Sequence, residues 1–323
     1  MTDSQGIPEN IPQSDPQLVA PNAEPATLAA QDPSATSSPG AHAYPPTFLS
    51  SELPPSPEQF AEQLRVSKIP PDLRVPWGWK DVGLFIFVYL ASTIFLGTVA
   101  ALATARIQHL DLKTLLNTPT NLYIGLTILA QTGASVIAML YFFLLTRIRN
   151  AGNFWSTLGW RSLNGDHTEL GTVVKYLLGG VALAAAASAT SLFVKQTGHT
   201  PIEEMFKARE TILMLMAFGI LAAPLVEETI FRGFLYPVAA RSFGVIPGVL
   251  FTGILFGASH VSNLGGALGQ IGVLVGVGIV LTWVRARTHS VLASFLLHIS
   301  YNSTLFAVSF IGTHGFRDFP AGK

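Results

Sequence analysis

Apolar residues fill this chain in long unbroken blocks and do not alternate with polar ones. From Val82 to Arg106 the run VGLFIFVYLASTIFLGTVAALATAR carries no charge before its last residue. At a rise of 1.5 Å per residue, about 20 helical residues cross a hydrocarbon core. The run therefore predicts a membrane span. Comparable blocks cover about 121–146, 170–194, 211–236, 245–262, 268–285 and 290–312. The pattern predicts an all-α polytopic membrane helix bundle of seven spans, or eight if the 240–290 region hides a re-entrant piece. The fifth and sixth blocks are short and glycine-rich (GGALGQIGVLVGVGIV, 265–280), which suits helices that approach closely. Trp77, Trp79 and Lys80, just ahead of the first block, suit the headgroup region. Lys175, near the start of the third, can snorkel.

The N-terminal quarter reads differently. Residues 1–76 hold 15 of the 21 prolines, and the first 60 residues contain seven Asp or Glu and no Lys or Arg. Such a segment cannot bury enough apolar surface to offset its ordering entropy, so a disordered tail is expected. It lacks the basic start and apolar core of a signal peptide. The predicted organisation is a Pro/Ser/Ala-rich tail at 1–76, three spans within 77–200, a second helix bundle at 201–315 and a short tail at 316–323.

Basic residues set the expected orientation. Arg65, Lys68, Arg74 and Lys80 precede the first span; Arg147, Arg149 and Arg161 follow the second. Arg241 follows the fourth, and Arg285 and Arg287 follow the sixth. With seven spans all of these fall on one side, assigned to the cytoplasm by the positive-inside rule. The N-terminus is then inside and the C-terminus outside. The opposite loop at 197–210, TGHTPIEEMFKARE, balances its bases with acids.

Composition agrees with a membrane protein: 49% of the residues are hydrophobic and 12% charged, against about 25% charged in soluble domains. The formal net charge is zero, which implies no general attraction to nucleic acid. There is no cysteine, so disulfides and thiolate chemistry are excluded.

Against this background Glu227 and Glu228 stand out as the only acidic residues between Thr211 and Arg317. Charges within a bilayer are costly and usually face a bundle interior or a wet cavity. Glu228 and Arg232 are four residues apart and share a helix face, so they can pair. Glu227 is displaced by about 100° and is left available as a general base. A purely structural ion pair near a span end is the plainer alternative. His260 falls in the fifth span; His298 and Asn302 lie four apart on the seventh. Singly, each reads as packing or interhelical glue. Together they make one candidate site. Glu227 and His260 can hold and deprotonate a water, while His298 and Asn302 can donate to an oxyanion. Ser259 and Ser300 lack a nucleophile-elbow context, and no H-E-x-x-H is present. Glu227, His260 and His298 are acceptable zinc ligands. The choice between a metal-bound water and a water held by side chains alone stays open.

The stretches EETIFR, FGASH and HISYN match, in order, the E-E-x-x-x-R, F-x-x-x-H and H-x-x-x-N motifs of one family. Over about 205–312 the chain resembles the CPBP family of intramembrane proteases, which includes CAAX prenyl proteases and bacteriocin-processing (Abi) enzymes. The resemblance implies Glu227 as the water-activating acid assisted by His260, and His298 with Asn302 as the oxyanion site. It implies Glu228 and Arg232 as supports and Phe256 as pocket lining. It implies a hydrolase acting on a membrane-associated, prenylated or secreted peptide in the lipid bilayer, with a divalent metal such as zinc or none. A bacterial inner membrane is the expected location. The alternatives are a non-catalytic scaffold or bacteriocin-immunity protein, and a transporter using the buried Glu and His as a relay. One tension remains: His260, about 15 residues into the fifth span, would sit at a different depth from Glu227 and His298 unless that span starts late, tilts or breaks. Pro224, Pro237 and Pro247 permit such irregularity.

Overall fold

The computed structural model describes residues 56–58, 69–163, 169–194, 212 and 216–315. The tail expected at 1–55 and 59–68, the loop 197–210 and the C-terminal 316–323 lie outside the described residues. What is described is helical, and no strand occurs among the described residues.

The N-terminal part contributes α1 (Trp79–Gln108), α2 (Leu112–Asn117), α3 (Asn121–Ile148), α4 (Phe154–Thr157) and α5 (Leu170–Ser191). Their ends are set locally. The Gly78 N–H donates to Asp81 Oδ2 at 2.9 Å at the start of α1. Asp111 caps α2 by accepting from Thr114 N–H at 2.9 Å, and Thr120 caps α3 by accepting from Tyr123 N–H at 3.3 Å. Left-handed His109 (φ 55°) closes α1. Long apolar side chains such as Phe87, Ile94 and Phe95 remain exposed on α1, as a lipid-facing surface requires.

The second part begins with a continuous helical run from Met216 to Phe243. It contains α6 (Ala223–Glu228) and α7 (Tyr236–Phe243), each preceded by a wider π-helical stretch, Phe218–Ala222 and Thr229–Leu235. Pro224 and Pro237 stand in the first turn after each stretch. Proline has no N–H to return to the preceding turn, so the widening falls where the ordinary bond is lost. Gly244 (φ 93°) then reverses the chain into α8 (Val245–Ala258), and a Cβ on Gly248 would lie 2.7 Å from the Ala240 Cα. The bundle is completed by α9 (Leu268–Thr288) and α10 (Val291–Gly312).

Five helices, α1, α3, α5, α9 and α10, are long and apolar enough to cross a membrane among the described residues. The count of seven is not confirmed among the described residues. The fourth predicted block is the kinked run through α6 and α7. The fifth ends at Ala258 and not at 262; its 14 residues extend only about 21 Å. His260 lies in the turn just beyond α8.

Glycines set the close contacts. A Cβ on Gly253 of α8 would lie 2.7 Å from Ile279 N, and one on Gly278 of α9 would lie 2.8 Å from Gly253 O. Gly180 of α5 faces Leu297, Ser300 and Tyr301 of α10, and the Ser300 hydroxyl donates to Leu177 O at 2.6 Å. An aromatic core joins the two parts: Phe142 and Phe234 have ring centroids 4.8 Å apart, as do Phe85 and Phe142.

Residues 69–77, most of them within the stretch expected to be tail, instead pack onto the bundle. Leu73, Val75 and Trp77 are buried. Trp77 is therefore a core residue and not a headgroup anchor. Its indole N–H donates to Phe234 O at 3.0 Å and its ring packs on Phe234, so both its polar and apolar parts are satisfied inside. The basic residues explain why this segment is held. Arg241 donates to Val75 O and Trp77 O at 2.9 and 2.7 Å. Arg285 pairs with Asp72 at 2.9 Å, and His289 Nδ1 lies 3.0 Å from the other Asp72 oxygen. Arg149 pairs with Asp81 at 2.8 Å. These bases thus meet at one end of the bundle, as their spacing predicts.

Candidate active site

Glu228 and Arg232 span the junction between α6 and the widened turn after it. Both are fully buried, and Arg232 Nη1 donates to Glu228 Oε1 at 3.0 Å. Arg232 Nη2 donates to Gly278 O at 2.9 Å, and its guanidinium lies 4.5 Å from the centroid of the Phe256 ring. The arginine therefore ties three elements together: its own helix, α8 and α9. Trp160 reaches in from the loop after α4 and donates to Thr229 Oγ1 at 3.2 Å.

His298 of α10 adds a contact that helix spacing cannot reveal, since it lies 70 residues away in sequence. Its Nδ1 is 2.9 Å from Glu228 Oε1, the oxygen that also accepts from Arg232. The tautomer that satisfies this contact carries its hydrogen on Nδ1. The ring's other nitrogen then points elsewhere: Nε2 is 3.8 Å from Glu227 Oε2. His260 repeats the arrangement. Its Nδ1 faces Phe256 O at 2.8 Å, with Ser259 Oγ at 3.2 Å, and its Nε2 is 3.9 Å from Glu227 Oε1. The Phe256 ring packs against both imidazoles, with centroids 4.9 and 5.7 Å away.

Glu227, His260 and His298 therefore converge. The two oxygens of one carboxylate each face a separate imidazole across a gap that a single water can bridge. Exposure separates the roles of the two acids. The Glu227 side chain is 26% exposed and that of His260 22%, whereas Glu228 is sealed. The paired acid is inside and the unpaired one reaches the opening. Asn302 stands one turn beyond His298, and its Nδ2 donates to Gly219 O in the first widened stretch at 2.6 Å. One of its two amide hydrogens is thereby committed, and the other stays available.

Glu227, His260 and His298 have ligand chemistry, but no group of three or more His, Cys, Asp or Glu side chains is placed to hold a metal ion among the described residues. Were a divalent metal bound, Glu227, His260 and His298 are the residues that would hold it, and it would supply Lewis acidity to a bound water; no step below runs through one.

Residues 209–304 match the family model described as type II CAAX prenyl endopeptidase Rce1-like. No curated protein and no solved structure matches the chain. The matched segment contains α6 to α9 and the part of α10 that bears His298 and Asn302.

Proposed function

We propose that this integral membrane protein is an intramembrane endopeptidase of the CPBP type, a reading supported by the match of residues 209–304 to the type II CAAX prenyl endopeptidase Rce1-like model. It hydrolyses a peptide bond in a membrane-associated, prenylated or secreted peptide. The observation that carries the reading is the Glu227 carboxylate lying within one water of both imidazoles.

A water between Glu227 and His260 donates one hydrogen to the carboxylate and one to the lone pair on His260 Nε2. Its own lone pairs then face the scissile carbonyl. Glu227 takes the proton as oxygen attacks carbon. The carbonyl oxygen gains negative charge and receives hydrogen bonds from Asn302 and from His298 in its imidazolium form, whose Nδ1–H stays on Glu228. A neutral His298 with its hydrogen on Nδ1 presents only a lone pair there, so donation requires the protonated ring. As the tetrahedral intermediate collapses, Glu227 returns its proton to the leaving amine. Glu228 and Arg232 form a neutral pair that holds the His298 ring in place. The basic end of the bundle faces the cytoplasm, and a bacterial inner membrane is the setting we favour.

The test is Glu227→Gln, which keeps the volume and removes the base. Membranes carrying this variant accumulate uncleaved precursors relative to wild type, while the protein remains inserted and folded. A Glu227→Gln protein with wild-type cleavage refutes the assignment. If His260→Ala and His298→Ala both leave the cellular phenotype intact, a non-catalytic scaffold replaces the protease.

A further inference from the structure

Away from Glu227, a cavity of about 360 Å³ opens at the basic end of the bundle. It lies between the segment preceding α1, the turn after α3 and the loop around α4. Arg74, Arg149 and Arg161 line it, with Asn150, Ser156 and Asp72. The single acid in the wall is already committed, since Asp72 is held by Arg285 and His289. Arg149 is paired with Asp81 but half of its side chain is exposed. Arg161 donates from Nε to Ser156 O at 3.4 Å, and no carboxylate pairs with it among the described residues. Among the described residues the cavity thus presents the guanidinium of Arg161 and the half-exposed one of Arg149, with the Asn150 amide beside them.

We infer that this cavity binds a phosphate-bearing anion at the membrane surface, either the headgroup of an anionic phospholipid or free phosphate. Guanidinium forks match phosphate oxygens in pairs and form strong charge-assisted bonds. The position agrees with a headgroup. The cavity sits where α1 begins at Trp79 and α3 ends at Ile148, at the edge of two spans. Basic hollows at that level are the usual receptors for anionic lipids. The wall is also wired to the candidate active site. Ser290 Oγ donates to Arg161 O, and Val291 N–H donates to Gly159 O at 2.8 Å. Both anchors lie at the start of α10, the helix that carries His298.

The full-length protein is placed in nanodiscs of pure phosphatidylcholine or of phosphatidylcholine with phosphatidylglycerol. Bound phosphatidylglycerol is counted by native mass spectrometry after release. Wild type retains it, and Arg161→Gln weakens retention by about tenfold, the loss of one charge-assisted contact. Arg287→Gln, which removes the same charge from an exposed position outside the cavity, leaves retention unchanged. Inorganic phosphate is titrated against protein in pure phosphatidylcholine, read by thermal shift. Stabilisation by phosphate alone, lost in Arg161→Gln, identifies free phosphate as the ligand. Retention of phosphatidylglycerol without a phosphate response identifies the headgroup. If neither probe distinguishes Arg161→Gln from Arg287→Gln, the site does not exist. Should Arg161→Gln fail to fold, Arg161→Lys carries the test. It keeps the charge and the stem but loses the planar fork, and wild-type retention in that variant overturns the inference.

Discussion

The buried pair of Glu228 and Arg232 allows a quantitative test, because each residue lacks solvent and leans on the other. Neither side chain is exposed, and their atoms are 3.0 Å apart. Removing one partner strands the other charge, which costs about 3–5 kcal/mol. Arg232→Met loses the ion pair and the contact with the Phe256 ring, but it does not orphan Gly278 O, which also accepts from Thr282 Oγ1 at 2.7 Å. Glu228→Gln keeps an acceptor for His298 and strands the guanidinium. In the double variant no charge remains to strand, and the thioether of Met fills the space beside Phe256. The double variant is therefore more stable than the sum of the singles predicts, by about 2–3 kcal/mol.

Equilibrium unfolding of the four proteins in mixed micelles gives the coupling directly. Cleavage of a membrane substrate is measured beside it. Stability returns in the double variant but activity does not, because His298 Nδ1 no longer donates to a charged carboxylate. Additive losses, within about 0.5 kcal/mol, refute the claim that the pair is a mutually dependent buried unit. Full activity in the double variant refutes the claim that Glu228 prepares His298.

Two further outcomes follow from the packing and the charges. Gly180→Ala places a methyl 2.6 Å from the Ser300 Cβ and against the α10 backbone, whereas Gly179→Ala meets Leu297 Cδ1 at 3.5 Å. Gly180→Ala therefore destabilises by about 1–3 kcal/mol and lowers activity, Gly179→Ala is near neutral, and equal thermal melts for the two reject the close approach of α5 to α10. Asp72 gives a pH dependence. Burial alone raises its carboxyl, but the charge and hydrogen bond of Arg285, helped by His289, outweigh burial and hold it below the usual carboxylate range. A folded value below the unfolded one adds stability at pH above the unfolded value, about 4, and that stability is lost as pH falls through the folded value. The stability gap between wild type and Asp72→Asn, followed by thermal melts from pH 7 to pH 3, closes as the pH drops; a constant gap contradicts the pairing.

The sequence revealed those parts of the site whose logic is local. Glu228 and Arg232 are four residues apart, and four-residue spacing on a helix is a contact rule. Long apolar blocks made α1, α3, α5, α9 and α10 readable because their length is set by the bilayer. Trp77 misled for a physical reason: an indole before a span reads as an interfacial anchor, and only the tertiary fold supplies Phe234 O as its buried acceptor. The same limit hid the contact of His298 with Glu228, across 70 residues, and the commitment of Asn302 to Gly219 O.

The end of α8 shows why length-based reading fails at the site itself. Val261 resumes the apolar pattern after Ser259 and His260, so a block read by averaged hydropathy extends past the helix end. The chain leaves the helix there, and Phe256 O, near the helix end, takes up the His260 Nδ1 instead. A histidine inside a regular span presents its nitrogens at a height fixed by helical rise. One placed just beyond a helix end is oriented by a terminal carbonyl that has no helical partner. The widened turns on either side of α6 act in the same way, as Gly219 O of the first meets Asn302 and Arg232 of the second meets Glu228. Irregular backbone inside a membrane is tolerated only where its polar groups find partners in protein or water. The widened turns and the end of α8 are thus where the candidate residues find polar partners: Arg232 on Glu228, Asn302 on Gly219 O and His260 on Phe256 O.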